Sequence, residues 1–121
     1  MKVGRIAKAF GMNISYFSVR DYKKTQFLKF LSSLDYLSVH CPLNEKTKDL
    51  ITIKELKIMK KNMILINTAR GGIVNENDLT KALKQKIIAG AGIDVTTSEP
   101  PKKSHPYYSI LDEANFIWTP H

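Results

Sequence analysis

Arg70 stands where an apolar run ends and a glycine pair begins. Residues 64–72 read Ile-Leu-Ile-Asn-Thr-Ala-Arg-Gly-Gly. The run from Ile64 suits a buried strand and stops at Asn67, and Thr68 and Ala69 carry the chain on to the arginine. In an open parallel sheet, ligands bind beyond the carboxyl ends of the strands. A guanidinium there is a cation on a rigid platform, suited to an anionic or carbonyl ligand. By itself, Arg-Gly-Gly also describes a solvated turn. Two more segments carry titratable side chains. One is Ala91-Gly92-Ile93-Asp94-Val95 followed by Glu99-Pro100-Pro101, and the other is the closing Trp118-Thr119-Pro120-His121. Taken singly, Glu99 reads as a loop residue ahead of two prolines. His121 reads as a terminal residue of the kind that frays. Among the other histidines, His40 and His105 read as structural, packing or capping residues. No cysteine–histidine spacing suggests a metal site.

Together, in order and approximate spacing, the three segments resemble the D-isomer-specific 2-hydroxyacid dehydrogenases. Oxidising a 2-hydroxyacid requires a base of near-neutral pKa at the hydroxyl and a cation on the carboxylate and carbonyl. The resemblance implies that Arg70 binds the substrate carboxylate and carbonyl. It makes His121, of Thr-Pro-His, the general acid/base. Glu99 lies five residues after Asp94, the family's spacing for the glutamate that hydrogen-bonds the imidazole and favours its charged form. The segment His-Cys-Pro-Leu-Asn-Glu-Lys-Thr, from His40, is most similar to the hydroxypyruvate reductase or glycerate dehydrogenase branch.

The same resemblance implies an NAD or NADP site. Lys2, Val3 and Gly4 look like the end of a Gly-x-Gly-x-x-Gly turn, with backbone N–H groups at a helix N-terminus facing the pyrophosphate. Gly4 matches the third glycine, Met1 falls at the second, and the first strand is absent. Cys41 and Pro42 are cofactor contacts, Thr68, Ala69 and Arg70 line the nicotinamide side, and Asp94 accepts a bond from the carboxamide. Ser18 stands where the family's second strand carries an aspartate, with Arg20 two residues on. A serine does not repel a 2′-phosphate and an arginine pairs with one, which tilts the reading toward NADP.

The elements that must position these residues alternate in the chain. Helical spacing is present at Gly4–Phe10, closed by Gly11, and at Thr25–Leu34, where Phe27, Phe30, Leu31 and Leu34 share a face. It recurs at Thr52–Met59, and again in a helix opened by Asn75, with Asp78 forming a partial capping box. Strands are expected at Asn13–Phe17, Tyr36–Val39, Met63–Ile66, Ala89–Val95 and Phe116–Trp118. Such alternation predicts an α/β fold, a doubly wound parallel sheet of Rossmann type covered on both faces. Residues 1–121 read as a single dinucleotide-binding domain fragment, truncated at both ends and incomplete in its first strand.

Bulk properties agree with that class. A chain of 121 residues suits one domain, and 43% hydrophobic residues is ordinary for a globular chain. No apolar run approaches the ~20 residues that cross a bilayer, and the N-terminus shows no signal-peptide core. One cysteine, Cys41, excludes an internal disulfide and fits the cytoplasm. The formal net charge of +8 sits on single or paired lysines without interleaved aromatics, which argues against nucleic acid as a partner. The implied partners are a small 2-oxoacid or 2-hydroxyacid and a second copy in a homodimer. The alternatives to a working oxidoreductase domain are a catalytically inactive remnant and a dinucleotide-sensing interaction protein. On this reading the isolated chain does not turn over substrate.

Overall fold

A computed structural model describes residues 2–113 and 115–121. Met1, assigned above to the second glycine position, lies outside them. The chain opens with α1 (Lys2–Ala9), which ends at Gly11 with φ 81°, the left-handed conformation that favours glycine. After it come α2 (Lys24–Ser33), β1 (Tyr36–Val39), α3 (Ile53–Ile58), β2 (Ile64–Asn67), α4 (Glu76–Lys84), β3 (Gly90–Ile93) and β4 (Phe116–Trp118). A short 3-10 segment, Pro106–Ile110, precedes β4.

The four strands are parallel and lie in sequence order. Parallel neighbours need a crossover between them, usually a helix. Here α3, α4 and the 3-10 segment are those crossovers, and α2 packs on α3, α3 on α4, and α4 on the 3-10 segment. The strand order never reverses, so the described sheet contains one winding direction of the doubly wound architecture. Leu37, Val39, Leu65, Ala91, Ile93 and Phe116 point into the core with Leu31, Leu56, Leu79 and Ile110.

The other sheet face corrects one expectation. Ile64, Ile66 and Gly92 are only half-buried, and Tyr36 and Ile117 are exposed. Parallel sheets normally bury both faces. In the described residues only the face under α2, α3 and α4 is fully covered.

The strand expected at Asn13–Phe17 is a second correction. These residues take no regular structure. A strand exists only where a neighbour accepts its backbone hydrogen bonds, and among the described residues β1 pairs only with β2. Phe17 is turned instead onto α2, 5.1 Å from Phe27 and 5.4 Å from Phe30 between ring centroids.

Helix starts are set by side-chain chemistry. At α3, Thr52 and Glu55 form a capping box, with the Thr52 N–H donating to Glu55 Oε2 at 3.0 Å. A six-residue helix has little intrinsic stability, so Thr52→Ala is expected to cost about 1 kcal/mol in urea denaturation. At α4, Asn75 accepts from the Asp78 N–H at 3.0 Å. Asp78 departs from the capping box read from the sequence. Its carboxylate accepts the Ile53 N–H at 2.9 Å and so ties α4 to α3.

No helix among the described residues is long and apolar enough to cross a membrane.

Candidate active site

Asn67 closes β2 and is buried, and its side chain shapes the adjoining turn. Its Oδ1 accepts the Ala69 N–H at 3.1 Å and its Nδ2 donates to the Arg70 carbonyl at 3.0 Å. Residues 67–70 are thereby folded tightly, with Thr68 and Arg70 exposed and Ala69 half-buried. The Arg70 guanidinium donates from Nη1 to the Ala69 carbonyl at 2.8 Å.

The two glycines after Arg70 serve different needs. Gly72 has φ 82°, a left-handed position. Gly71 lies flat against the Thr96–Thr97 peptide, and a Cβ there would strike Thr96 C, Thr96 O and Thr97 N. The arginine loop and the loop leading to Glu99 therefore meet backbone to backbone at Gly71. Overpacking typically costs about 1–3 kcal/mol, so Gly71→Ala is expected to lower the urea-unfolding free energy by about that much.

The Glu99 loop is internally bonded. Glu99 Oε1 accepts the Thr96 N–H at 3.1 Å, and Thr96 Oγ1 donates to the Ser98 carbonyl at 2.8 Å. After β4, the Thr119 N–H donates to the Ile93 carbonyl at 3.0 Å and Thr119 Oγ1 donates to Asp94 Oδ1. These bonds carry His121 to Glu99, where His121 Nδ1 lies 2.9 Å from Glu99 Oε2. A carboxylate can only accept, so Nδ1 carries the shared proton and Nε2 remains as the nitrogen able to take one. The His121 hydrogen bond holds the Glu99 carboxyl below its ordinary value. The Thr96 N–H adds to this, and the charges of His121 and Arg70 contribute less.

Beside this pair, His40, Cys41, Pro42, Leu43, Ala69 and Arg70 line an open cleft of about 640 Å³ at the carboxyl ends of β1 and β2. That volume falls within the usual range for a small-molecule site. Thr47, fully buried, pins one wall by donating to the Pro42 carbonyl at 2.6 Å and accepting the Asn44 N–H at 2.8 Å. Burial pushes the Cys41 thiol up, so Cys41 acts as a wall. His40 pairs with Ser38, Nε2 to Oγ 2.8 Å.

The structure thus joins Glu99 to His121 directly, with Arg70 near enough to act on Glu99 electrostatically, and joins Cys41 and Pro42 to Ala69 and Arg70 around one cleft. Asp94 sits at the end of β3 with one oxygen engaged by Thr119. Lys2, Val3 and Gly4 form the first turn of α1, and Gly4 is buried so tightly that a Cβ would meet the Tyr16 hydroxyl. Ser18 does not terminate a strand. It caps a 3-10 turn, Val19–Asp21, by accepting the Arg20 N–H at 3.3 Å, which removes the strand-end geometry behind the NADP tilt. The residues that sequence reasoning passed over are Asn67, Thr47 and Thr119. An asparagine closing a strand before the arginine, and Asn44 three residues before Thr47, were the available signals.

Residues 1–121 match the family described as D-isomer specific 2-hydroxyacid dehydrogenase, NAD binding domain. The chain is 42% identical over 120 residues to a glycerate dehydrogenase of Methylorubrum extorquens, covering 98% of this chain and 38% of that protein. A D-isomer specific 2-hydroxyacid dehydrogenase of Lactobacillus delbrueckii ssp. bulgaricus, in its NAD complexed form, superposes with a TM-score of 0.80. Its identity is 33%, over 98% of this chain and 42% of that one. A D-isomer specific 2-hydroxyacid dehydrogenase of Xanthobacter autotrophicus Py2, in complex with NADPH and MES, gives a TM-score of 0.73. Its identity is 31%, over 81% of this chain and 31% of that one. The chain spans 36–40% of the length of the first curated relatives it matches.

Proposed function

The chain belongs to the D-isomer specific 2-hydroxyacid dehydrogenase family through its NAD-binding domain, and on that premise we propose that it serves reversible hydride transfer between a nicotinamide cofactor and a D-2-hydroxyacid or 2-oxoacid. The observation that carries this reading is the Glu99–His121 pair, 2.9 Å apart, beside the Arg70 turn at the carboxyl ends of the strands. A base, its orienting carboxylate and a cation in one place match the demands of hydroxyacid oxidation.

The cofactor is NAD or NADP, and the residues present fit one. The cleft walled by Cys41, Pro42, Ala69 and Arg70 accommodates the nicotinamide end, with Thr68 at its rim and Asp94 toward the carboxamide. The first amides of α1, at Lys2, Val3 and Gly4, suit the pyrophosphate, because the opening amides of a helix have no intrahelical partner. Ser18 and Arg20 belong to the adenosine side. When bound, the nicotinamide ring accepts or supplies the hydride.

The protein's own groups do the rest. Arg70 turns from the Ala69 carbonyl to the substrate carboxylate, for which its fork is the better match. It also polarises the adjoining carbonyl. In reduction, His121 Nε2 delivers a proton to the carbonyl oxygen, and in oxidation it takes the hydroxyl proton back. Glu99 holds Nδ1–H, keeps the ring in that tautomer and stabilises the imidazolium. A homodimer and a cytoplasmic location belong to the same reading. Light scattering of the purified chain tests the dimer.

Two assays test the whole. NADH and NADPH are titrated into the chain and followed by fluorescence. Turnover of hydroxypyruvate and glyoxylate is measured in a fusion supplying the flanking parts of the Methylorubrum extorquens relative. Cofactor binding with Arg70-dependent turnover is the expected result. A fusion that folds and binds NADH or NADPH but reduces neither acid would leave the chain as a dinucleotide-sensing module or an inactive remnant.

A further inference from the structure

Away from the cleft lies a second histidine–carboxylate pair that the proposed reaction does not use. His105 Nε2 is 2.8 Å from Glu76 Oε2, and both side chains are nearly buried, at 6% and 11% exposure. His105 Nδ1 accepts the Tyr107 N–H at 3.3 Å, so Nε2 carries the ring proton and donates it to Glu76. The imidazole is further fixed by Trp118, with ring centroids 5.4 Å apart and stacked. Glu76 is thus held from behind. Its remaining capacity is spent on one residue. Oε1 accepts the Thr97 N–H at 2.7 Å and Oε2 accepts the Thr97 hydroxyl at 2.8 Å. Thr97 lies between Thr96, whose N–H bonds Glu99, and Ser98, whose carbonyl bonds Thr96.

We propose that Glu76 is a positioning residue: braced by His105, its carboxylate clamps Thr97 and sets the 96–99 turn so that Glu99 meets His121. The inference rests on the reading of Glu99 and His121 as the acid/base pair. Charge-assisted bonds to a backbone N–H are strong and directional. A nearly buried carboxylate with three donors has one orientation available to it. The 96–99 loop has no regular secondary structure of its own. Its internal bonds shape the turn, and it is anchored to the rest of the fold by Glu76 on one side and by Gly71 on the other. Catalytic groups need such support, because small misplacements cost large factors in rate.

The test reads Glu99 itself in the full chain, by carbon NMR titration of its carboxyl, and needs no turnover. In the parent, the bonds from His121 and the Thr96 N–H hold the Glu99 carboxyl below its ordinary value. Glu76→Ala is expected to raise that midpoint toward the ordinary carboxylate value and to speed solvent exchange of the Thr97 amide. Glu76→Gln, nearly isosteric and still able to accept the Thr97 N–H, is expected to raise it less. It carries the test should the alanine variant not fold. In a His121→Ala background the Glu76→Ala rise should shrink, since the two residues act on one group. Asp35 is the internal control. Lys60 holds it low from 2.9 Å, and it should stay low throughout.

If Glu99 is unmoved by His121→Ala, the pair reading falls and the clamp falls with it. If His121→Ala moves Glu99 while both Glu76 variants leave it in place, the clamp alone is wrong. Movement of Asp35 together with Glu99 would mean general loosening of the fold and would also overturn the clamp.

Discussion

His121→Asn is expected to lower kcat/KM for hydroxypyruvate by about 10²–10⁴-fold in the fusion, the worth of proton transfer by a placed side chain. Asparagine keeps a donor for Glu99 Oε2 but has no nitrogen that titrates. Cofactor affinity is expected to stay within about twofold of the parent, because the change removes only the group charged with proton transfer. A loss under tenfold would remove His121 from its role. Glu99→Gln acts on the same step by another route. It keeps a hydrogen-bonding group at 2.9 Å from Nδ1 and deletes the charge that favours the imidazolium. The kcat/KM limb that reports the imidazole should therefore move to lower pH.

The same pair gives a stability signature. Glu99 has a folded pKa below its unfolded value. Its pairing therefore favours the folded chain at pH above the unfolded value, and the benefit is lost as pH falls through the folded one. His121→Ala, which leaves no donor for Glu99 Oε2, removes the largest cause of that depression. Urea midpoints of parent and variant should differ near neutrality and converge as acidification beyond the ordinary carboxylate range protonates Glu99.

Arg70→Ala is expected to lower kcat/KM by about 10²–10³-fold, the scale for deleting a donor aimed at charge developing in the transition state. The loss should appear in KM as well as kcat, since the same guanidinium holds the ground-state carboxylate. Arg70→Lys should recover only part of it, because an ammonium cannot present the paired N–H groups of the guanidinium. Folding should be little changed, because Arg70 is exposed and its turn is held by Asn67 through the Arg70 carbonyl, which any residue supplies. Unchanged KM and kcat in Arg70→Ala would reduce Arg-Gly-Gly to the solvated turn that it resembles in isolation.

Much of the architecture was legible because the relevant forces are local or periodic. Tyr36–Val39 and Phe116–Trp118 are strands over the expected residues. A short apolar run between helical segments has few other ways to bury itself. Gly11 ends α1 and Asn75 opens α4, since left-handed backbone and N-cap bonding depend on one or two residues. Asn13–Phe17 misled the reading. Its alternation suits a strand, yet pairing needs a neighbour, and a sequence pattern carries no information about whether one is beside it.

For the site, Arg70, Glu99 and His121 were marked as a group by the resemblance of their three segments to the family, since each read singly is a turn, a loop or a terminal residue. What tertiary structure alone decided is how they meet. Glu99 and His121 are 22 positions apart and come together because Thr119 is bonded to Ile93 and Asp94 at the end of β3. The arginine loop reaches the Glu99 loop only because Gly71 lets two backbones touch. His105 read as a packing and capping residue, and it does cap the 3-10 segment. Its grip on Glu76, 29 positions away, was not in any motif. Local propensity and chemical type are properties of the chain. Hydrogen bonds between distant segments depend on the register of strands and the packing of loops, which exist only once the fold has formed.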